Sequence, residues 1–218
     1  MLDIALNQYK TLVFDCDGVV LNSNKIKTQA FYEATKHYGH DAAQALVDYH
    51  ICNGGISRYS KFEYFFNEIL KQEIEAKVFD NILLHFAQIV KEQLVRCEVA
   101  EGLDQLRIHT KSAKWLIVSG GDQTELREIF SIREIETYFD GGIFGSPDNK
   151  AEILQREVAK GNIIAPALFI GDSKYDYKVA KVAGLDFAFV SNWTEVEDFA
   201  EFIANENIHA FVSLSSIK

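Results

Sequence analysis

Proline is scarce, with two residues in 218, and no long biased tract interrupts the chain, so nothing in it reads as a linker or a disordered tail. Cysteine is scarce as well. Cys16, Cys52 and Cys97 are odd in number and lack metal-type spacing, so neither a disulfide framework nor a zinc site is suggested and a reducing cytoplasm fits best. Positive charge is in deficit, 22 Lys and Arg against 32 Asp and Glu, for a formal net charge of -10. Phosphate backbones are gripped mainly by clustered Lys and Arg, so no nucleic-acid partner is expected. A small anionic substrate stays compatible, because a pocket needs only a few local cations and a metal. Long apolar runs are missing too. The first residues, Met1 to Phe14, lack the basic start, apolar stretch and small-residue cleavage site of a signal peptide, and no run reaches the length of a bilayer span. A cytoplasmic protein without a membrane partner is expected.

What is present is a globular composition, 48% hydrophobic and 25% charged, at a length that suits one α/β domain with a modest insertion. Short apolar runs at Thr11 to Phe14, Trp115 to Val118, Ile143 and Phe144, Ala167 to Ile170, and Phe187 to Val190 read as buried strands. Helical patterns lie between the later ones, at Gln123 to Phe130, Lys150 to Lys160 and Tyr175 to Ala183. That alternation predicts an α/β fold, a doubly wound, Rossmann-like parallel sheet covered on both faces. From 23 to 97 the apolar residues recur at helical spacing instead. Ala30, Phe31, Ala34 and Tyr38 mark one helix, Phe62 to Leu70 a second, and Val78 to Val90 a third. A helical insertion over 23–97 within a core of 1–22 and 98–218 is the expected organisation. The aromatic stripe Phe62, Phe65 and Phe66 reads as packing.

Strand one ends in Asp15, Cys16, Asp17 and Gly18. Open α/β sheets hold ligands at the carboxyl ends of their strands. Two acids spaced two apart on an extended segment point the same way, and a divalent cation relieves their repulsion. The fragment alone fits equally a turn in which both acids cap backbone amides. Alternation turns Cys16 away from that face, and flanking carboxylates raise a thiol pKa, so Cys16 reads as a small buried residue. Gly171, Asp172, Ser173 and Asp176 close a later strand, with the two acids four apart at a helix start. One of them is accounted for by helix capping. Ser119, Gly120 and Gly121 end another strand, where exposed amides can meet an anion and where a serine equally suits an N-cap. Lys150 stands at a helix start, against the macrodipole, either solvated or facing a bound anion.

Asp15, Asp17 and Gly18, then Ser119, then Lys150, then Gly171, Asp172, Ser173 and Asp176 together resemble the haloacid dehalogenase superfamily of phosphotransferases, in the same order and at the expected strand ends. The likeness spans about Thr11 to Val190. The insertion after the first motif is similar to the helical cap class shared by phosphoglycolate phosphatase-like and β-phosphoglucomutase-like members. The chain departs from the common pattern in having Val19, Val20 and Leu21 before Asn22 and Ser23, which leaves the chemistry intact and loosens any inference about substrate.

The resemblance implies that Asp15 attacks phosphorus and forms an aspartyl-phosphate, while Asp17 serves as acid and then base. It implies Mg2+ held by the Asp15 carboxylate, the Asp17 backbone carbonyl and Asp172, with Asp176 as a ligand or support. Ser119, Gly120 and Lys150 would bind the transferring phosphoryl group. Arg58, in a stretch from Cys52 to Lys61 similar to the specificity loop of this cap class, is the candidate for a second anion contact, or else a surface arginine beside a helix start. His37, His40, His50 and His85 receive no role. The expected activity is a phosphatase of a small phosphorylated metabolite, a sugar phosphate or sugar-acid phosphate. A hexose-phosphate mutase is the nearest alternative, and a dehalogenase or a non-catalytic phosphometabolite binder stands further off.

Overall fold

The computed structural model describes residues 5–217. Residues 1–4 and 218, which the expected core includes, lie outside the described residues. Six parallel strands form one sheet in the order β3-β2-β1-β4-β5-β6. They are β1 (Thr11–Phe14), β2 (Lys114–Asp122), β3 (Gly142–Ser146), β4 (Ala167–Gly171), β5 (Asp186–Val190) and β6 (His209–Phe211). Each strand run expected from the sequence lies inside one of the first five.

Leu12 and Phe14 point to one face and Val13 to the other, the two-residue period of a strand. The first face packs with Trp115, Ile117, Leu168 and Ile170 against α5 (Leu103–His109) and α6 (Gln123–Ile132). The second packs Val13, Leu116, Val118 and Phe169 against Ile153 and Leu154 of α7 (Lys150–Ala159) and Val179 and Ala180 of α8 (Lys174–Val182). Burial on both faces explains why β1 and β4 read as unbroken apolar runs.

Between β1 and β2 the chain makes the helical insertion: α1 (Asn24–Thr35), α2 (His40–Cys52), α3 (Arg58–Tyr64), which runs on into a π-helical turn at Phe65–Leu70, and α4 (Ala76–Leu94). Phe31, Phe62 and Phe86 form its aromatic centre, with ring centroids 4.4 to 5.6 Å apart. Phe62, Phe65 and Phe66 are buried there, the packing role read from the stripe. The helix expected through Tyr38 stops sooner, because Gly39 at φ 112 turns the chain after a short 3-10 turn. A last helix, α9 (Phe199–Glu206), precedes the edge strand β6. No helix among the described residues is long and apolar enough to cross a membrane.

Candidate active site

The connection from β1 passes to β2 on one side of the sheet, and β4 pairs with β1 on the other, so the carboxyl ends of β1, β2 and β4 surround the switch point of the sheet. Phe14 is level with Ile117 and with Ile170, so Asp15, directly after β1, emerges beside the stretch of β2 that carries Ser119 and beside the end of β4, which Asp172 follows.

Asp15 is buried, and its backbone N–H donates to the Ile170 carbonyl at 2.9 Å. One carboxylate oxygen accepts from the Cys16 N–H at 2.7 Å, and the other meets the Lys150 ammonium at 2.8 Å. Lys150 reaches this point because Asn149 and Glu152 close a capping box that fixes the start of α7. The same ammonium donates to Asp176 at 2.5 Å, and the Ser173 hydroxyl donates to the second Asp176 oxygen at 2.7 Å. Asp172 accepts from the Asn24 side-chain amide at 2.7 Å, while the Thr194 hydroxyl donates to its backbone carbonyl at 2.6 Å. Gly18, at φ +75, is required here: a Cβ would lie 2.0 Å from the Asp172 Oδ2.

Oxygen atoms of Asp15, Asp172 and Asp176, all buried, lie within 4.8 Å of one another. Asp172 has no ion-pair partner among the described residues. Burial first, and then Asp176 and Asp17 against the opposing pull of Lys150, push the Asp15 carboxyl up to about 7. Burial, Asp15 and Asp176 raise Asp172 well above the carboxylate range. A buried all-oxygen set with more acid than Lys150 neutralises fits a hard divalent cation such as Mg2+.

The Asp17 side chain turns away from that group. Its oxygens accept from the Ser23 hydroxyl at 2.6 Å and the Lys27 ammonium at 2.5 Å. Burial raises this carboxyl, but the Lys27 ion pair and the two hydrogen bonds outweigh it and hold Asp17 below its usual range. Ser119 is fully buried at the end of the straight run of β2 and does not cap α6. Asp122 caps that helix, accepting from the Glu125 N–H at 3.0 Å. The Ser119 hydroxyl oxygen accepts from the Gly121 N–H at 3.0 Å, which leaves its proton for another acceptor.

The insertion closes over this floor. The loop before α3 lies so near that a Cβ on Gly120 would meet the Gly55 carbonyl oxygen at 2.4 Å, and one on Gly55 would stand 3.4 Å from the Lys150 ammonium. Arg58 donates to Glu125 of α6 at 2.8 Å and lies over the Phe86 ring, both partners buried. The Tyr59 hydroxyl donates to Asp122 at 2.9 Å. A cavity of about 50 Å³ remains, lined by Asp15, Asp17, Arg58, Gly120 and Asp172 among others, room for only a few waters. Lys27, His50, Lys61 and Glu195 also line it, and the sequence pattern did not single them out. Three of these sit on insertion helices at ordinary helical positions, where only the tertiary fold reveals which polar side chain faces inward.

Residues 9–184 match the family model described as haloacid dehalogenase-like hydrolase. No curated protein matches the chain. Among solved structures, a β-phosphoglucomutase from Clostridium difficile superposes with a TM-score of 0.73 at 17% identity, covering 96% of this chain and 93% of its own. A protein described as a predicted phosphoglycolate phosphatase from Haemophilus somnus gives 0.67 at 16% identity, with 96% of each chain covered. A haloacid dehalogenase-like family protein from Streptococcus pneumoniae gives 0.66 at 20%, covering 93% of this chain and 94% of its own. At these identities the structures establish a shared fold.

Proposed function

The chain belongs to the haloacid dehalogenase-like hydrolases, and from that premise we propose that it is a magnesium-dependent phosphatase of a small phosphorylated metabolite, a sugar phosphate or sugar-acid phosphate. Residues 1–22 and 98–218 form the hydrolase core in this reading, and 23–97 the cap. The observation that carries it is the meeting of Asp15, Ser119 and Asp172 at three adjacent strand ends, with Lys150 in contact with Asp15.

Asp15 attacks the phosphoryl group, its carboxylate oxygen bonding to phosphorus as the ester P–O bond breaks. The leaving alcohol takes its proton from Asp17, two residues along the same strand end. Water then gives a proton back to Asp17 and attacks phosphorus, releasing phosphate and restoring the Asp15 carboxylate. Ser119, the Gly120 backbone and Lys150 hold the phosphoryl oxygens, and Lys150 offsets charge on Asp15. Magnesium, when held by Asp15, Asp172 and the Asp17 carbonyl with Asp176 in support, neutralises charge that would keep an anionic nucleophile from an anionic phosphate. The Lys27 pair holds Asp17 ionised in the free protein, so the proton it gives to the leaving alcohol would first pass to it from the monoanionic phosphate ester, and the carboxylate left behind accepts the proton of water.

A hexose-phosphate mutase would use the same nucleophile and grip a second phosphate through the cap. Arg58, the residue similar to that grip, is paired with Glu125, which supports hydrolysis over mutation. Phosphate release is measured over sugar phosphates, sugar-acid phosphates, phosphoglycolate, nucleotides and β-glucose 1-phosphate, with magnesium and with Asp15→Asn as the blank. Release that the variant lowers by several orders of magnitude is expected. Conversion of β-glucose 1-phosphate to glucose 6-phosphate without free phosphate would replace the reading by the mutase, and metal-free halide release by a dehalogenase.

A further inference from the structure

Four cationic or potentially cationic side chains of the cap face the cavity, and two of them are neutralised within the protein. Lys27 is paired with Asp17 and Arg58 with Glu125. Lys61, on α3, is different. It is 2% exposed and has no carboxylate within ion-pair distance among the described residues. Its ammonium donates to the Nδ1 of His50, on α2, at 2.6 Å. With Lys61 charged, that bond leaves the ring proton on Nε2, because an ammonium can only donate and Nδ1 must then accept. His50 is 8% exposed, and its Nε2 has no hydrogen-bond partner among the described residues. The closest acid, Glu195, stands 3.9 Å from it, too far for a hydrogen bond. Phe31 braces the pair, with its ring centroid 4.6 Å from that of His50 and 5.5 Å from the Lys61 ammonium.

Buried ammonium groups are almost always paired, and buried N–H donors almost always find an acceptor. Here one of each opens on the cavity that Asp15, Asp17 and Gly120 line. We propose that Lys61 and His50 form a carboxylate-binding subsite, so that the phosphate ester hydrolysed here carries a carboxylate on its alcohol portion. This deepens the phosphatase reading and rests on it. A carboxylate has two oxygens to share between an ammonium and a ring N–H and brings a single negative charge. A second phosphate would set a larger charge against Glu195 on the same wall. Glu195 is itself held by the Thr28 hydroxyl at 2.8 Å. Burial first, and then Lys27, pull the Lys61 ammonium down to about 7, and a carboxylate in contact pushes it back up.

The test compares esters that differ at one carbon: 6-phosphogluconate with glucose 6-phosphate, and 3-phosphoglycerate with glycerol 3-phosphate, with glucose 1,6-bisphosphate as the phosphate arm. Affinity is measured by calorimetry on Asp15→Asn with magnesium, and kcat and KM on the active protein. At least one acid is expected to exceed its neutral counterpart by about tenfold or more, in affinity and in kcat/KM. Lys61→Met and His50→Phe should each erase that preference through KM, leave kcat for the neutral ester within about twofold, and melt like the parent. His50→Gln, which keeps an N–H donor, should restore part of it. Equal affinity for acid and neutral esters, no binding of either, a preference that survives Lys61→Met, or preference for the bisphosphate would each overturn the subsite. Loss of neutral-ester turnover in Asp15→Asn is read separately, so the subsite and the nucleophile fail independently.

Discussion

Asp15, Asp172 and Asp176 are acids that the fold brings together against their own repulsion, with one lysine between two of them. Asp15 is raised to about 7 and Asp172 is raised as well, so the metal-free protein holds protons that the unfolded chain has released. The sign follows from linkage: where the folded state binds more protons, stability falls as pH rises. The stabilisation present below the ordinary carboxylate range is lost through about pH 7. Magnesium binds the ionised form, so its effect on the melting temperature should be a gain of several degrees near pH 8 that shrinks towards about pH 5. Asp172→Asn should melt higher than the parent without metal and lose the magnesium gain, as differential scanning fluorimetry would show. A gain independent of pH, or retained in Asp172→Asn, would deny these residues the metal. At this scale the strand-end residues were legible because a parallel sheet puts its ligands at fixed points along the sequence. Lys61 and His50 were not. On α2 and α3 a polar residue that faces inward has the same sequence surroundings as one that faces water.

The element that matters most is the glycine loop before α3, which closes the cap on the end of β2. Tyr59 and Arg58 clip the start of α3 to α6, through Asp122 and Glu125, so the loop and the catalytic floor are held in register. Gly120 takes part by what it lacks. A methyl there would overlap the Gly55 carbonyl oxygen, 2.4 Å away, and backbone has no flexible end to yield. Gly120→Ala should therefore displace the loop, lowering kcat/KM by roughly tenfold or more while the melting temperature stays within a few degrees. A steady-state assay on any accepted ester, beside a melting curve, checks this. Unchanged kcat/KM would mean that the loop does not seat during turnover. Elements with a strong period were legible, and weak ones were not. α2 escaped because its buried residues include two polar-looking or small ones, His50 and Ala43, beside Leu46 and Val47. β6 is three residues at the sheet edge, His209, Ala210 and Phe211, with no residue fully buried. That is too short and too exposed to leave an apolar run.

As a whole molecule, the protein is a doubly wound sheet that aims three strand ends at one point, with a helical cap inserted directly after the first of them. This plan was legible because each level agreed with the next: apolar runs for buried strands, helical spacing for the insertion, and chemistry at the strand ends. The wall of the cavity was not, since it is assembled from α1, α2 and α3 of the cap and the loop after β5 of the core, which only folding brings together. An acidic chain of net charge -10 thus hides buried lysines around the cavity, which bulk composition averages away. The central claim is that Asp15 carries the phosphoryl group, and acid quenching during turnover followed by borohydride reduction and peptide mass spectrometry tests it most directly. An acyl phosphate is reduced to an alcohol where a free carboxylate is not. The account predicts homoserine at residue 15, dependent on substrate and on magnesium. Steady release of phosphate with residue 15 recovered only as aspartate, or with another residue reduced in its place, would contradict it.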